Sequence, residues 1–560
     1  MSSRYGKIEG VVYPPSDVVE RYRALGILGR ETVAAALRDA AARHPDRVAL
    51  IASDRRITFR ELDEWSDRTG AALLQCGLKP LDRVMFQIGN IPELIFCLYG
   101  CFKANLIPVC TLPTHREAEI AFLAKLTEAR GYIIQSQFRT ADLVTLAKGL
   151  MPVCDSLDRL IVIGGDGGAG TMVFDDLIGA MTIEDARKLL DGIDIDPLEV
   201  CIFQISGGTT GVPKVIPRMN SEYVYNMRCV VQSARLTEST VMLWPLPGIH
   251  NAAVGFYNTP THLSGGAVIL QQAHDPDSLL SVVERESVTF FATVKPLVMR
   301  IIESGKHKSY DLSSIRSTSS TNCAQILHEH FGLPSFQQFG MSEGMGMRTA
   351  PDHPDHLQRV CIGQPLSPYD EVKLVEPGTN DPVPDGEVGE FCARGPYTFH
   401  GYYKAPDVNR ESFTPDGYYR SGDLMRAHIA DGVVLYSFEG RIKDNIDRGS
   451  EKISAEEVER ALQDYPAIQS VAVIGVADRI FGERVCACLV LKPGCHTPSV
   501  ADLGEHLSGR KLAKFKWPER VEAFGQMPLT DIGKIDKKKL RAEVESRLQQ
   551  DIPASAASRG

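Results

Sequence analysis

Nine residues, Ser206 through Lys214 (Ser-Gly-Gly-Thr-Thr-Gly-Val-Pro-Lys), have the composition of a loop that grips phosphate. Gly207, Gly208 and Gly211 let the backbone turn tightly and bring its N–H groups close to an anion. Ser206, Thr209 and Thr210 add hydroxyl donors, and Lys214 closes the segment with a cation. The order differs from G-x-x-x-x-G-K-[ST], since no Ser or Thr follows the lysine. A Gly/Ser/Thr cluster by itself also describes an ordinary turn, so the reading depends on what lies downstream.

The elements that must position this loop are legible in the apolar pattern. The run Val200 to Ile205 predicts a buried strand leading into it. Upstream, Val33, Leu37 and Ala41 share one face of a helix predicted over Glu31 to Arg43. Short strands are expected at Val48 to Ile51 and Arg83 to Gln87, with helices at Leu62 to Cys76 and Ile91 to Phe102. This alternation implies parallel sheets covered by helices. After Arg441 a smaller unit is expected: helix Ala455 to Asp464, strands Ser470 to Val476 and Arg484 to Leu491, and helix Val500 to Leu507. The run Lys537-Lys538-Lys539 predicts a solvated face of a terminal helix. The small, polar end of the chain predicts disorder.

Composition excludes several classes. At 560 residues, with 43% hydrophobic and 24% charged residues, the chain reads as a soluble protein of several domains. A net charge of −10 argues against nucleic acid as a partner. The most apolar stretch, Leu94 to Cys110, is interrupted by Lys103 and Asn105. It predicts a core helix followed by a strand, not a membrane span. The opening MSSRYGKIEG has no apolar run, so no signal peptide is expected. Thirteen scattered cysteines without a CxxC pair predict a reducing, cytoplasmic compartment, with Cys486 and Cys488 buried on one strand face.

Six further segments follow the loop in order. They are Pro245 to Asn251 (PLPGIHN), Phe339 to Glu343 (FGMSE), Gly401 to Tyr403 (GYY) and Tyr419 to Asp423 (YRSGD). Gly440 to Asp444 (GRIKD) continues into Arg448 to Lys452 (RGSEK), and Thr530 to Ile535 (TDIGKI) comes last. In this order and spacing the chain resembles the acyl-adenylate-forming superfamily. Within it the likeness is to stand-alone aryl-acid adenylating enzymes of the 2,3-dihydroxybenzoate–AMP ligase type. Tyr13-Pro14-Pro15 and Leu112 to Ile120 (LPTHREAEI) carry that narrower match. So does Asn251, which stands where amino-acid-activating relatives usually have Asp.

The resemblance implies an α/β fold. A large N-terminal domain (1–442) of parallel and mixed sheets covered by helices would precede a small mobile α+β C-terminal domain (443–548) and a disordered tail (549–560). It implies that an aryl acid attacks ATP to give an acyl-adenylate, with Ser206 to Lys214 on the departing phosphates and Glu343 on Mg²⁺. Phe339 would stack on adenine, Asp423 would hold the ribose, and Arg441 would reach ribose or phosphates. Lys534 would be the catalytic lysine, assisted by His250, and Lys443 the hinge. The acyl group would pass to the phosphopantetheine thiol of a separate aryl carrier protein, in siderophore or nonribosomal peptide biosynthesis, or to coenzyme A. The basic stretch Arg510, Lys511, Lys514 and Lys516 is open to two readings, a carrier-steering surface or a solvated face.

The expected aryl pocket comprises His250, Asn251, Phe256, Gln338 and Ser319, and it departs from the dihydroxybenzoate pattern. Phe256 stands where a small residue is usual, Gln338 where an aliphatic is usual, and Ser319-Ser320-Thr321 in place of a Gly-Gly-Ala-like segment. A buried Gln wants partners. The expected acid is therefore salicylate, a substituted benzoate or a heteroaromatic hydroxy-acid, with an ortho hydroxyl or amino group facing Asn251.

Overall fold

Two sheets with helices between them and on their outer faces organise the first of two compact units in the computed structural model. The structure describes residues 5–550 apart from 54, 207–212, 272–274, 322, 449–450, 479–481, 511, 513 and 531–532. Unit one is Met1–Glu371 with Ala393–Tyr419, and unit two is Val372–Cys392 with Arg420–Gly560.

In unit one a seven-stranded sheet is parallel except at Lys214–Met219, which pairs antiparallel with Val200–Ser206. A nine-stranded sheet has a parallel centre and antiparallel margins. Along its strands alternate side chains go to opposite faces. Phe86, Ile133 and Ile202 of the first sheet and Leu50, Met242 and Phe290 of the second therefore share one core with helices Phe59–Gln75 and Pro92–Lys103. Met85, Ile134 and Phe203 face a second core, and Ile51, Leu243 and Phe291 a third. Helix Pro92–Lys103 is buried on nearly every side, which is why it reads as continuously apolar. Its Lys103 ammonium donates to Asp63 at 2.5 Å and Asp67 at 2.9 Å, so the buried cation is paired.

Unit two contains a four-stranded sheet, in which Tyr419–Ala430 and Val433–Arg441 form an antiparallel hairpin, and a five-stranded sheet. Val485, Ala487 and Leu489 of strand Gly482–Leu491 pack under helices Ala455–Leu462 and Val500–Gly509. Cys486 and Cys488 face the other way, against Leu540 and Val544 of helix Lys537–Gln550. The expected burial of these two cysteines is observed.

The predicted elements occur with small shifts at their ends. The first helix runs Val33–Arg43 behind a Thr32 cap, and the second begins at Phe59 under a Thr58–Glu61 capping box. One expectation is corrected. Lys537 is not on a solvated face, because its ammonium pairs with Glu459 at 2.6 Å and both side chains are less than a fifth exposed. Residues 551–560 of the expected tail lie outside the described residues. The hairpin sheet of unit two draws residues 372–392 and 420–442 together with the C-terminal part of the chain. Compactness places them there, while the expected division at 442/443 concerns motion between lobes, which compactness does not address.

Candidate active site

The strand pair that leads into and out of the phosphate-type loop sets Ser206 directly opposite Lys214. Gly207, Gly208, Thr209, Thr210 and Gly211 lie outside the described residues. Lys214 Nζ stands 4.7 Å from the centroid of the Tyr402 ring, a cation–π arrangement. The Tyr402 hydroxyl donates to Glu343 Oε1 at 2.7 Å and lies 2.9 Å from the Tyr419 hydroxyl. Burial, and then the Glu343 carboxylate, push the Tyr402 phenol pKa upward, so it remains a donor. The closing lysine of the loop and the acid of the Phe339–Glu343 motif are thus joined through one ring.

Glu343 sits on a turn held from below by a residue that the sequence reading did not select. Arg218 is fully buried. Its guanidinium makes two bonds to Glu222, at 2.9 and 2.8 Å, and donates to the carbonyls of Ser342 at 3.1 Å and Tyr397 at 3.2 Å. The Phe399 N–H donates to the Glu343 carbonyl at 2.7 Å. Gly344, at φ +130°, is required here, because a Cβ would lie 1.9 Å from the Tyr397 carbonyl oxygen.

Asp370 anchors the same Tyr397 by accepting from its hydroxyl at 2.6 Å, while its Oδ1 is buried without a hydrogen-bond partner among the described residues. Burial pushes the Asp370 carboxyl up to about 7, against the opposing effects of the Tyr397 and Ser367 hydrogen bonds. The folded-state pKa lies above the unfolded value of about 3.9. The contribution to stability is therefore complete below that value and is lost as pH rises through about 7. Asp370→Asn is expected to flatten the pH dependence of the urea midpoint between pH 5 and 8. The wild-type difference should exceed that of the variant by on the order of 2–4 kcal/mol.

The expected acid-binding residues all lie in unit one, in two hydrogen-bonded groups. His250 Nδ1 accepts the Ala252 N–H at 3.1 Å, so in the neutral ring the proton is on Nε2. The buried Asn251 is oriented by a chain of donors. Gln204 Nε2 donates to the Tyr223 hydroxyl at 3.2 Å, and that hydroxyl donates to Asn251 Oδ1 at 2.9 Å. The Asn251 amide therefore turns its N–H₂ away from Tyr223. A π-helix, Ala252–Tyr257, follows; such insertions are frequent at functional sites.

That helix delivers Phe256 and Tyr257 to strands Ser317–Thr321, Ser335–Gly340 and Gly346–Arg348. A Cβ on Gly340 or Gly346 would come within 3.0 or 2.8 Å of the Phe256 ring, so the two glycines make the slot that admits it. Ser319 donates to Gln338 Oε1 at 2.7 Å, and the Tyr257 hydroxyl lies 3.2 Å from Ser319 Oγ. The partners expected for a buried Gln338 are thus Ser319 and Arg348, at 3.2 Å from Oε1. Phe339 is buried on the opposite face of its strand.

The remaining expected residues belong to unit two. Asp423 and Arg441 are cross-strand partners whose charges meet at 2.8 Å, a close ion pair. Lys534 lies in a tight hairpin closed by Thr530 N–H to Lys534 carbonyl at 2.7 Å, with Gly533 at φ +77°. Burial first, and then the Arg441 charge, lower the Lys534 pKa, while Asp423 opposes them. As a residue Lys534 keeps solvent exposure, so the desolvation falls on its ammonium end beside Arg441 and Asp423. Lys443 occupies a 3₁₀ turn, Ile442–Asp444, within unit two; its side chain lies outside the described part.

His353 Nδ1 accepts the Ala350 N–H, and Asp355 pairs with Arg359, so both stabilise a turn. Among the described residues no group of His, Cys, Asp or Glu is arranged to hold a metal on its own. In the basic stretch Arg510 pairs with Asp464 and Lys516 with Glu457, which leaves less of it for an acidic partner, and Lys511 lies outside the described residues.

A model of the AMP-binding enzyme family matches residues 37–403, and one of the AMP-binding enzyme C-terminal domain matches 457–534. The chain is 35% identical to 2,3-dihydroxybenzoate-AMP ligase of Bacillus subtilis (strain 168), over 97% of this chain and 99% of that protein. It is 36% identical to a salicylyl-CoA synthase / salicylate adenylyltransferase of a Streptomyces species, over 96% and 98%. Its fold matches that of the anthranilate CoA ligase AuaEII in complex with anthranoyl-AMP, with a TM-score of 0.83 at 23% identity, covering 92% of this chain and 98% of that one.

Proposed function

The chain belongs to the AMP-binding enzymes, and from that premise we propose that it joins ATP to an aromatic carboxylic acid and passes the acyl group to a thiol. The observation that carries the proposal is the link from Lys214 through the Tyr402 ring to Glu343. It sets the closing lysine of a phosphate-type loop near a single carboxylate, on the same unit as the hydrogen-bonded amides of Asn251 and Gln338. Two relatives, at 35% and 36% identity over nearly their whole length, carry names of aryl-acid ligases, which supports an aryl acid.

In the proposed reaction a carboxylate oxygen of the acid attacks the α-phosphorus of ATP. The bond from that phosphorus to the oxygen bridging the β-phosphate breaks, and pyrophosphate departs with the electron pair. Both reactants are anions, so the protein must hold them in line and offset their charge. Ser206, Gly207, Gly208, Thr209, Thr210, Gly211 and Lys214 hold the departing phosphates. Glu343 would hold Mg²⁺, which when bound neutralises phosphate charge. Tyr402 takes its Oε1, and Oε2 has no partner among the described residues, which fits the single carboxylate that Mg²⁺ commonly takes beside nucleotide phosphates.

Phe339 stacks on adenine, Asp423 accepts from the ribose hydroxyls, and Arg441 supports the ribose or phosphates. The Asn251 amide donates to an ortho hydroxyl or amino group of the acid, in a pocket with His250, Phe256, Ser319 and Gln338. Lys534 offsets charge at the forming bond. The C-terminal domain beyond Lys443 would then turn about that residue for thioester formation.

The proposed acceptor is a separate aryl carrier protein of siderophore or nonribosomal peptide biosynthesis, and the proposed compartment is the cytoplasm. Among the described residues no helix is long and apolar enough to cross a membrane. Coenzyme A is the second acceptor, favoured by the likeness to the Streptomyces salicylyl-CoA synthase / salicylate adenylyltransferase. Pyrophosphate exchange across a panel of aryl acids tests the first step. Silence with every aryl acid would overturn the proposal. Thioester formation from the best acid, compared between coenzyme A and a phosphopantetheinylated aryl carrier, decides the second step, with faster loading of the carrier expected.

A further inference from the structure

Arg348 is buried, yet among the described residues no carboxylate lies within ion-pair distance of it. Arg218, equally buried in the same unit, has Glu222. The Arg348 guanidinium donates only to neutral groups. Nη1 reaches Ser319 Oγ at 2.9 Å and Gln338 Oε1 at 3.2 Å, and Nη2 reaches Ser317 Oγ at 3.1 Å and the Thr318 carbonyl at 3.4 Å. Taking a cation out of water without a counter-charge is costly. Burial lowers its pKa only to about 10, so at neutral pH the charge is retained.

The consequence falls on Gln338. A guanidinium only donates hydrogen bonds, so the Gln338 atom facing Arg348 and the Ser319 hydroxyl proton is the carbonyl oxygen. Its Nε2 must then point away from Arg348, and among the described residues it has no acceptor. Gln338 is only 6% exposed. Two strong donors polarise the amide through Oε1 and make the Nε2 hydrogens better donors still. Register puts the group beside Phe256 of the proposed acid pocket: Gln338 opposes Arg348 and Gly340 opposes Gly346, so all four share the hairpin face that carries the Phe256 ring.

We infer that Gln338, held and polarised by Arg348, selects aryl acids whose ring edge carries a hydrogen-bond acceptor, either a ring nitrogen or a ring-borne oxygen. The inference rests on the proposed aryl-acid activation and names the substrate class of that site. An acid that offers only C–H to Nε2 leaves a buried donor unsatisfied. Gln338 touches the substrate, whereas Arg348 acts through Gln338 and is a positioning residue.

Pyrophosphate exchange is measured with salicylate, with the four analogues in which each of its ring C–H groups in turn is replaced by nitrogen, and with 2,3-dihydroxybenzoate. At least one acceptor-bearing acid is expected to exceed salicylate in kcat/KM by about 10–100-fold, the penalty range of an unsatisfied buried donor. An advantage confined to an aza analogue identifies ring nitrogen, and one confined to the catechol acid identifies oxygen. Gln338→Leu is expected to bring that ratio to within about threefold of unity. Arg348→Met is expected to raise KM for the favoured acid more than it lowers kcat, with partial rescue by Arg348→Lys. Salicylate matching every analogue in the wild-type enzyme would overturn the inference even if no variant folds, and would leave the aryl-acid reading intact. Exchange with none of the acids would overturn both.

Discussion

Lys534→Ala is expected to slow aroyl-adenylate formation by about 100–1000-fold, the loss that follows removal of one donor aimed at developing transition-state charge. The affinity for ATP should change little, because the contribution of the ammonium grows only as the carboxylate oxygen and the α-phosphorus approach. Pyrophosphate exchange gives the first number, and its dependence on ATP concentration gives the second. Thioester formation from preformed aroyl-adenylate should persist, since the charge at the forming anhydride is no longer in play. The pH profile adds a sign. Burial and Arg441 lower the Lys534 pKa, so the alkaline fall in rate should begin below the ordinary lysine value of about 10.4. Lys534→Arg, in whatever activity it keeps, should lack that limb. Wild-type exchange in Lys534→Ala would remove the proposed role.

Arg218→Leu is expected to destabilise the protein by about 3–5 kcal/mol, the range for breaking a buried ion pair by removing one partner. Among the described residues Glu222 would keep only the Met219 N–H at 2.8 Å, and the carbonyls of Ser342 and Tyr397 would lose the Arg218 donors. Arg218→Lys keeps the charge but not the planar fork, so it should recover only part of the loss. Urea unfolding at pH 7 measures both variants. A functional effect should accompany the structural one, because the Ser342 carbonyl adjoins Glu343. In either variant that still folds, pyrophosphate exchange should require more Mg²⁺ than in wild type. An unchanged urea midpoint in Arg218→Leu would show that the buried fork does not hold this turn.

Local structure was legible in the residues alone. Apolar periodicity predicted the helix observed at Val33–Arg43 and the strands observed at Arg83–Gln87 and Val200–Ser206 to within two residues, because side-chain direction repeats every 3.6 or 2 residues whatever surrounds the element. Motif order and residue type also nominated Glu343, Asp423 and Lys534 as site residues, and the missing counter-charge at Asn251 suggested a neutral partner for the acid. The buried Gln338 was legible as a demand for partners, but its partners were not.

Those partners came from the packing of distant segments. Tyr402 meets Glu343 across 59 residues, Arg218 meets Ser342 across 124, and Arg348 meets Ser319 across 29. Each encounter depends on which strands become neighbours, and loop closure leaves no periodic mark on the residues it joins. Lys537 shows the same limit in reverse: Lys538 and Lys539 of its run are exposed as expected, while Lys537 looks solvated until Glu459 is placed against it. A charge is assigned by its type in the sequence, whereas its counter-charge is assigned by the fold.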